Sequence, residues 1–322
     1  MIVTCDACST RYRIDEHALE KQVSRARCCR CDSVFTIRNP ILGSRPPETV
    51  IQPEVRPGLN KPVVIDGMDM SETRPACKVI TVCNQKGGVA KTTTCLNLAT
   101  SLVLMKKRVL VIDFDIQANL SLLLNYRDAR SFFDVTVDPE SNLADFIVKT
   151  GLYFWLLPSN SKMTLLSKQQ STENFQYMLR DMLVPIKPHF DYILIDTPPS
   201  GDFFTLNALL ASDMAAICTQ AEFLSMNGIN HIQNMINLIR EKADHHIDYH
   251  ILVTMFDRSN TASKVIYTKM NRAFTGSLFQ TIIEKDDNVP QSQIVLSPTM
   301  YYNKSSRAGL QYFSLAKEIL AL

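Results

Sequence analysis

Apolar residues in this chain fall into short runs that alternate with longer segments of helical periodicity. Runs typical of buried strands occur near residues 78–83, 108–114, 153–157, 191–196, 213–218, 249–255 and 278–283. Segments with apolar residues at helical spacing lie near 91–106, 203–211, 225–243, 260–274 and 307–321. Strands that alternate with helices predict a mainly parallel, doubly wound α/β sheet with helices on both faces.

The first 76 residues do not follow this alternation. Residues 1–40 form a short head that holds five of the nine cysteines of the chain. Residues 41–76 are rich in proline and show little periodic apolar pattern, which is typical of an extended, flexible linker. We therefore expect a small head at 1–40, a Pro-rich linker at 41–76 and a large α/β domain at 77–322.

A glycine-rich loop joins the first predicted strand of that domain to its first helix. The loop reads Asn84-Gln-Lys-Gly-Gly-Val-Ala-Lys-Thr-Thr-Thr94. Its successive N–H groups and the helix N-terminus can cradle phosphates, while Lys91 neutralises phosphate oxygens and the Thr92 hydroxyl binds Mg²⁺. The pattern predicts a nucleoside triphosphate site, with candidate nucleotide-binding residues Lys86, Gly87, Gly88, Val89, Ala90, Lys91, Thr92 and Thr93.

Two further apolar runs end in aspartates. The run that begins at Arg108 ends with Asp113 and is followed by Asp115, and the run that begins at Asp191 ends with Asp196. Ligands of open α/β sheets bind at the carboxyl ends of the strands. Asp196 is therefore predicted to hold Mg²⁺ through an outer-shell water, as in other P-loop sites.

These three segments, in this order, resemble the deviant Walker A ATPases of the ParA/MinD family. The matching residues are Lys86-Gly-Gly-x-x-Lys91-Thr-Thr, Asp113-Phe-Asp-Ile-Gln-Ala-Asn119 and Asp196-Thr-Pro-Pro199, and the similarity covers about residues 78–320. The resemblance implies that Lys86 reaches the nucleotide of a partner subunit and that Asp115 positions the attacking water. It also implies that Asp113 lies near the Mg²⁺ shell. The expected catalytic residues are Lys86, Lys91 and Asp115, and the expected magnesium residues are Thr92, Asp113 and Asp196.

The chain departs from the family pattern at two positions. Ala90 stands where the family most often has glycine, and an alanine at positive φ costs on the order of 1 kcal/mol. Ile116 stands where proline is usual, so the loop after Asp113 is expected to be less fixed than in relatives.

The cysteines of the head are spaced like a metal site. Cys5-x-x-Cys8 and Cys28-x-x-Cys31 are separated by nineteen residues, which suits the two knuckles of a four-thiolate Zn²⁺ site. The head resembles small zinc-ribbon fingers, with short strands at 12–14 and 34–35, and zinc would supply its folding energy. Disulfides are the alternative, and Cys29 is expected not to bind the metal. The remaining cysteines are expected to be small buried hydrophobes.

Charge gives little support for a nucleic-acid partner. The formal net charge is only +2 with a pI near 8.0. Relatives that bind DNA do so through basic residues, but here Ile283-Glu-Lys-Asp-Asp-Asn288 puts three carboxylates beside one lysine. Lys264, Lys269 and Arg272 recur at helical intervals, either as a basic stripe or as an ordinary solvated face. Non-specific DNA binding is therefore a possible but doubtful property.

The expected function is that of a ParA-type ATPase with ATP, Mg²⁺ and Zn²⁺ as cofactors. ATP would close a homodimer, and slow hydrolysis, stimulated by a second protein, would reopen it to position DNA or a protein cargo. The alternatives are a zinc-finger adaptor without significant turnover and a MinD-like positioning ATPase. No apolar stretch reaches the roughly 18 residues of a membrane span, and no secretory signal or C-terminal membrane anchor is apparent. We expect a cytoplasmic, potentially nucleoid-associated protein.

Overall fold

The computed structural model describes residues 2–5, 7–8, 10–13, 23–28, 30–31, 33–38, 65, 68, 76–138, 141–168, 175–200 and 203–322. The chain divides into two compact units, Met1–Val55 and Arg56–Leu322. Cys29 and most of the predicted linker lie outside the described residues. Three linker residues are described, and two of them contact the larger unit: Ile65 is buried in its core and Met68 packs against that core. The exact domain limits stay a prediction.

The smaller unit contains two antiparallel strand pairs. Its strands are β1 (Ile2–Thr4), β2 (Arg11–Arg13), β3 (Val23–Arg27) and β4 (Val34–Arg38). β1 pairs with β2, and β3 pairs with β4. Each pair is joined by one Cys-x-x-Cys segment, and the predicted strands near 12 and 34 correspond to β2 and β4. The sequence pattern did not indicate β1 or β3.

The larger unit is built on a seven-stranded sheet in the order β11-β10-β5-β9-β6-β8-β7. Every neighbouring pair is parallel except β7 with β8. The strands are β5 (Lys78–Cys83), β6 (Val109–Asp113), β7 (Val148–Lys149), β8 (Trp155–Leu157), β9 (Tyr192–Asp196), β10 (Met214–Thr219) and β11 (Asp248–Val253). Three of these strands, β6, β9 and β10, are buried along their whole length, which explains why they read as continuous apolar runs.

Helices cover both faces of this sheet. They are α1 (Lys91–Leu104), α2 (Asn119–Leu123), α3 (Phe132–Val137), α4 (Met178–Leu183), α5 (Phe203–Leu210), α6 (Ser225–Ala243), α7 (Thr261–Ala273), α8 (Asn288–Ile294), α9 (Thr299–Tyr302) and α10 (Arg307–Ala321). Short 3-10 turns occur at Leu143–Phe146, Ser161–Lys168, Phe175–Tyr177 and Lys187–His189. Among the described residues, none of these helices is both long and apolar enough to cross a membrane.

Alternate residues of β5 separate the core into two layers. Ile80 packs in a cluster with Leu98 of α1 and Tyr312 of α10. Val79, its neighbour, belongs to a different cluster that includes Ala208 of α5. Since successive side chains of a strand point to opposite faces, α1 and α10 cover one face and α5 covers the other. The predicted doubly wound α/β fold is confirmed.

One predicted strand was wrong. The run 278–283 lies beside the edge strand β11 but makes only isolated bridges, at Leu278 and Glu284. Between them, the N–H groups of Gln280 and Thr281 donate to the Glu318 carboxylate of α10, at 2.6 and 3.0 Å. These groups are therefore not available to a strand ladder, although the run has the apolar pattern of one.

Candidate functional site

The loop between β5 and α1 contains two left-handed residues. Gly88 has a φ of 71° and Ala90 has a φ of 62° immediately before the first residue of α1. This backbone is unstrained for glycine but not for alanine, so the departure noted at position 90 falls where the chain needs positive φ. The loop is tied to the next strand end, where the Gln220 amide donates to the Gly88 carbonyl at 3.1 Å.

The two lysines of the loop point to different partners. Lys91 is only 7% exposed, and its Nζ donates back across the loop to the carbonyl oxygen of Lys86 at 3.2 Å. The Lys86 side chain is half-exposed, and its Nζ lies 2.5 Å from Oε2 of Glu222. One ammonium group is thus held inside the loop and the other at the surface of the site.

Asp113 and Asp196 lie side by side at the carboxyl ends of β6 and β9. They are paired in register, and Asp196 is also the register partner of Val82 in β5. Asp113 is fully buried and accepts hydrogen bonds from the N–H and the hydroxyl of Ser121, at 2.8 and 2.7 Å. Burial raises the pKa of Asp113 to about 6 in spite of these bonds.

The Asp196 carboxylate has no such support. It is fully buried, and neither oxygen makes a hydrogen bond of normal geometry with a described residue. Burial, followed by the charge of Asp113, raises its pKa well above the usual value, while the Thr92 hydroxyl and Lys91 act in the opposite direction. A buried carboxylate without a partner, next to a second carboxylate and a threonine hydroxyl, is a donor set that suits Mg²⁺. The predicted magnesium residues Thr92, Asp113 and Asp196 are therefore together.

Asp115 is held in the turn after β6. Its Oδ1 accepts the N–H of Gln117 at 2.9 Å, and its carbonyl accepts the Ser159 hydroxyl at 2.6 Å. The side chain is nearly buried, at 4% exposure of the residue. Ser159 thus fixes the backbone of this turn from the end of β8, although Ile116 replaces the proline usual in the family.

A cavity of about 770 Å³ lies next to the glycine-rich loop between β5 and α1. Its lining includes Phe256, Asp257, Arg258, Ser259, Glu284, Lys285, Asp286, Asp287, Asn288, Ser305 and Arg307. Two hydrogen bonds connect the elements around the cavity to the loop. The Thr254 hydroxyl, just after β11, donates to the Val89 carbonyl at 3.1 Å, and Gln293 of α8 donates to the Thr93 hydroxyl at 3.0 Å. The sequence patterns did not indicate this cavity.

Glu284 forms part of the wall of the cavity between two arginines. Its oxygens lie 2.6 Å from Nε of Arg258 and 2.9 Å from Nη1 of Arg307, and its side chain is 6% exposed. Burial alone would raise the pKa of Glu284, but the two arginines hold it below its usual value. The wall is therefore fixed by charge-assisted hydrogen bonds.

The four predicted zinc ligands come together in the smaller unit. The Sγ atoms of Cys5, Cys8, Cys28 and Cys31 all lie within 4.8 Å of one another. Tetrahedral thiolates with Zn–S bonds of about 2.3 Å would be about 3.8 Å apart. Two of the separations, 3.7 Å between Cys5 and Cys31 and 3.5 Å between Cys8 and Cys28, agree with that geometry.

The two knuckles of this cluster are built alike. The N–H of Cys5 donates to the Thr10 carbonyl, and the N–H of Cys28 donates to the Ser33 carbonyl, both at 2.9 Å. The Thr10 hydroxyl lies 3.1 Å from Sγ of Cys8. The Ser33 hydroxyl lies 2.9 Å from Sγ of Cys31. A hydroxyl two residues after each knuckle is thus placed to support a metal-bound thiolate.

The cysteines of the larger unit have the buried character that was predicted. Cys83, Cys95 and Cys218 have no exposed surface, and burial raises the pKa of Cys218 to about 12. Cys77 is partly buried, and burial likewise raises its pKa to about 12. Thiols of this kind are neutral and unreactive at physiological pH.

Comparison with known proteins gives a family match for each of the two units. An AAA-domain family model matches residues 77–249, more than half of the chain, and a zinc-ribbon model matches residues 1–36. A protein of Pseudomonas putida is 34% identical over 252 residues, which cover 76% of this chain and 94% of that protein. The sporulation initiation inhibitor protein Soj of Bacillus subtilis is 31% identical over 251 residues, covering 76% of this chain and 98% of Soj.

Solved structures agree with this assignment. Cobyrinic acid a,c-diamide synthase from Mycobacterium smegmatis, with bound ADP and magnesium, has a TM-score of 0.66 and 25% identity. The match covers 76% of this chain and 94% of that one. The family model, the relatives above 30% identity and the paired lysines of the loop lead to one conclusion: the chain belongs to the ParA/MinD-type family of P-loop ATPases and carries an N-terminal zinc ribbon.

Proposed function

We propose that this protein is an ATP-dependent, dimerising ATPase of the ParA type that positions DNA or a protein cargo. The observation that carries the proposal is the different location of the two loop lysines. Lys91 is buried inside the loop, where it can bind the phosphates of its own nucleotide. Lys86 extends to the surface of the site, where a second subunit could bring its nucleotide within reach.

The proposed chemistry is phosphoryl transfer to water. The N–H groups of residues 86–93 hold the phosphates, and Lys91 balances their charge. When bound, Mg²⁺ adds charge neutralisation of the phosphates, and Thr92, Asp113 and Asp196 are the residues that would hold it. Asp115 orients the attacking water, and the Gln117 N–H holds its carboxylate in the turn after β6. All these groups are fixed at the ends of strands or in the loop, so hydrolysis depends on positioning and charge.

We assign the nucleoside part of the nucleotide to the cavity beside the loop. The cavity opens along the segment that follows β11 and the start of α8. Thr254 of that segment and Gln293, near the end of α8, are hydrogen-bonded to the phosphate loop. Its walls offer one aromatic ring, Phe256, together with polar side chains, a combination suited to a base and a ribose.

We propose that the smaller unit holds one Zn²⁺ on Cys5, Cys8, Cys28 and Cys31 and folds around it. Residues 1–40, 41–76 and 77–322 would then be a zinc ribbon, a linker and the ATPase domain. The ribbon is a candidate site for a partner protein, and a second protein that stimulates hydrolysis fits the proposed cycle. The corresponding location is the cytoplasm, at the nucleoid or on a protein cargo.

Three substitutions test the dimerising mechanism by light scattering with ATP and Mg²⁺. Lys91→Ala should abolish nucleotide binding, because it removes the main counter-charge from the loop. Lys86→Ala should bind ATP but stay monomeric. Asp115→Ala should form a dimer that does not turn over, and Lys269→Ala on the exposed face of α7 serves as the control.

The outcome with Lys86→Ala is decisive. If this variant dimerises with ATP as well as the parent protein does, the shared-nucleotide mechanism is wrong and the chain is an ordinary P-loop ATPase. If the parent binds nucleotide but shows no turnover that depends on Lys91, the chain acts instead as a nucleotide-locked adaptor.

A further inference from the structure

The lysine assigned to the partner's nucleotide is engaged within its own chain. Nζ of Lys86 lies 2.5 Å from Oε2 of Glu222, and the two side chains are 41% and 53% exposed. Glu222 belongs to the turn between β10 and α6, 136 residues away in the sequence. The ion pair therefore joins the ends of two neighbouring strands of the sheet, β5 and β10.

Both partners are held by the backbone around them. The Lys86 N–H donates to Oδ1 of Asn84 at 3.0 Å, and the amide of Asn84 donates to the Cys218 carbonyl at 2.6 Å. In the opposite turn, the N–H of Glu222 donates to the Gln220 carbonyl at 2.9 Å. Because Gln220 also donates to Gly88, the two turns are tied together directly. The carboxylate is thus presented to the ammonium group by a fixed scaffold.

We infer that Glu222 is a positioning residue for Lys86, which keeps the lysine on its own subunit until a second nucleotide-bound copy competes for it. This inference rests on the proposed function, because it takes the partner's nucleotide as the destination of Lys86. The triphosphate carries more negative charge than one carboxylate, so the lysine transfers only when ATP is present on the other copy. Glu222 therefore opposes dimerisation and makes it depend on ATP.

The size of the effect follows from the exposure of the pair. Exposed ion pairs contribute little, equivalent to about a 1.4- to fivefold change in an equilibrium constant. A symmetric dimer must break two such pairs, one in each subunit, so the factor enters the dimer constant twice. Glu222→Gln should therefore tighten the ATP-dependent dimer by about two- to twenty-five-fold.

The dimer constant can be measured by sedimentation of the full-length protein with a non-hydrolysable ATP analogue and Mg²⁺. Glu222→Gln should dimerise at lower protein concentration than the parent, and Glu241→Gln, at an exposed position on α6, should match the parent. If the parent itself does not dimerise, the proposed function fails. If the parent dimerises and Glu222→Gln dimerises equally or more weakly, only the role of Glu222 is refuted.

A second readout addresses the ion pair in the monomer. Acylation of Lys86 by an amine-reactive reagent, quantified on the peptide by mass spectrometry without nucleotide, should rise at least twofold in Glu222→Gln. Glu222→Asp, which keeps the charge, should restore part of the protection. A merely structural role of Glu222 would not change the labelling of this one lysine, so equal labelling in all three proteins would overturn the inference.

Discussion

Replacing Ala90 by glycine should stabilise this protein, although the same exchange in an ordinary helix is destabilising. Ala90 adopts a φ of 62° and a ψ of 31°, in the left-handed region, directly before α1. The conformation is imposed by the turn from the phosphate loop into the helix. Glycine adopts it without a clash between Cβ and the backbone, so the folded state of Ala90→Gly is relieved of strain.

The expected gain is the difference between two opposing effects. Left-handed backbone costs an alanine about 1–2 kcal/mol. Glycine in turn gives the unfolded chain more freedom, which lowers stability by about 0.4–1 kcal/mol. The net gain is therefore about 0.5–1 kcal/mol, or an increase of about 1–4 °C in the Tm of a unit of this size.

The assay is thermal and urea unfolding without nucleotide, with Ala99→Gly as the matched control. Ala99 lies in the middle of α1 and is fully buried, so glycine there should lower the free energy of unfolding by about 1 kcal/mol or more. The two variants should therefore move in opposite directions. If Ala90→Gly loses as much stability as Ala99→Gly, position 90 does not need positive φ and the reasoning fails.

Three further changes test other parts of the structure. Ser33→Ala removes a hydroxyl that lies within 3.4 Å of two thiols, and it should weaken zinc binding at least tenfold in a competition with a chromophoric chelator. Asp113 holds a proton up to about pH 6 when folded but only to about pH 4 when unfolded, so this residue lowers stability as pH rises between those values. In urea titrations without nucleotide, Asp113→Asn should flatten that decline, and an unchanged slope would contradict it. A Cβ on Gly228 would lie 2.7 Å from Oδ1 of Asn84, so Gly228→Ala should displace the phosphate loop and weaken ATP binding, whereas Gly151→Ala meets no atom within 4 Å and should not.

The phosphate loop and its carboxylates could be predicted because they follow apolar strands directly in the sequence. Strand ends of a parallel sheet meet at one edge, so Lys91, Asp113 and Asp196 had to lie together once the strands were identified. The four thiols could be predicted for a different reason, because the spacing of the two Cys-x-x-Cys knuckles is itself typical of a zinc site. The positive φ of Ala90 could also be expected, because the family most often has glycine there.

Contacts between distant turns could not be predicted in this way. Glu222 lies in a segment that resembles the family, yet nothing local shows that its carboxylate meets a lysine 136 residues away. Gln293 is 200 residues from the threonine hydroxyl that it contacts. The false strand at 278–283 has the same origin, because the Glu318 carboxylate that binds its N–H groups comes from the last helix.

The acidic segment 284–287 shows how such contacts change the meaning of a charge pattern. In the sequence it suggested a negative surface that would oppose DNA. In the fold, the negative charge of Glu284 is balanced by ion pairs with Arg258 and Arg307. Asp286 accepts the N–H groups of Asn288 and Ala308, together with two side-chain donors, and its pKa falls to about 2 although burial acts in the opposite direction. Two of the three carboxylates thus anchor α8 and α10 around the proposed nucleoside cavity. The carboxylates of this segment are therefore better explained by their structural contacts around the proposed nucleotide site than by repulsion of DNA. Whether the protein binds DNA depends on the exposed basic residues elsewhere.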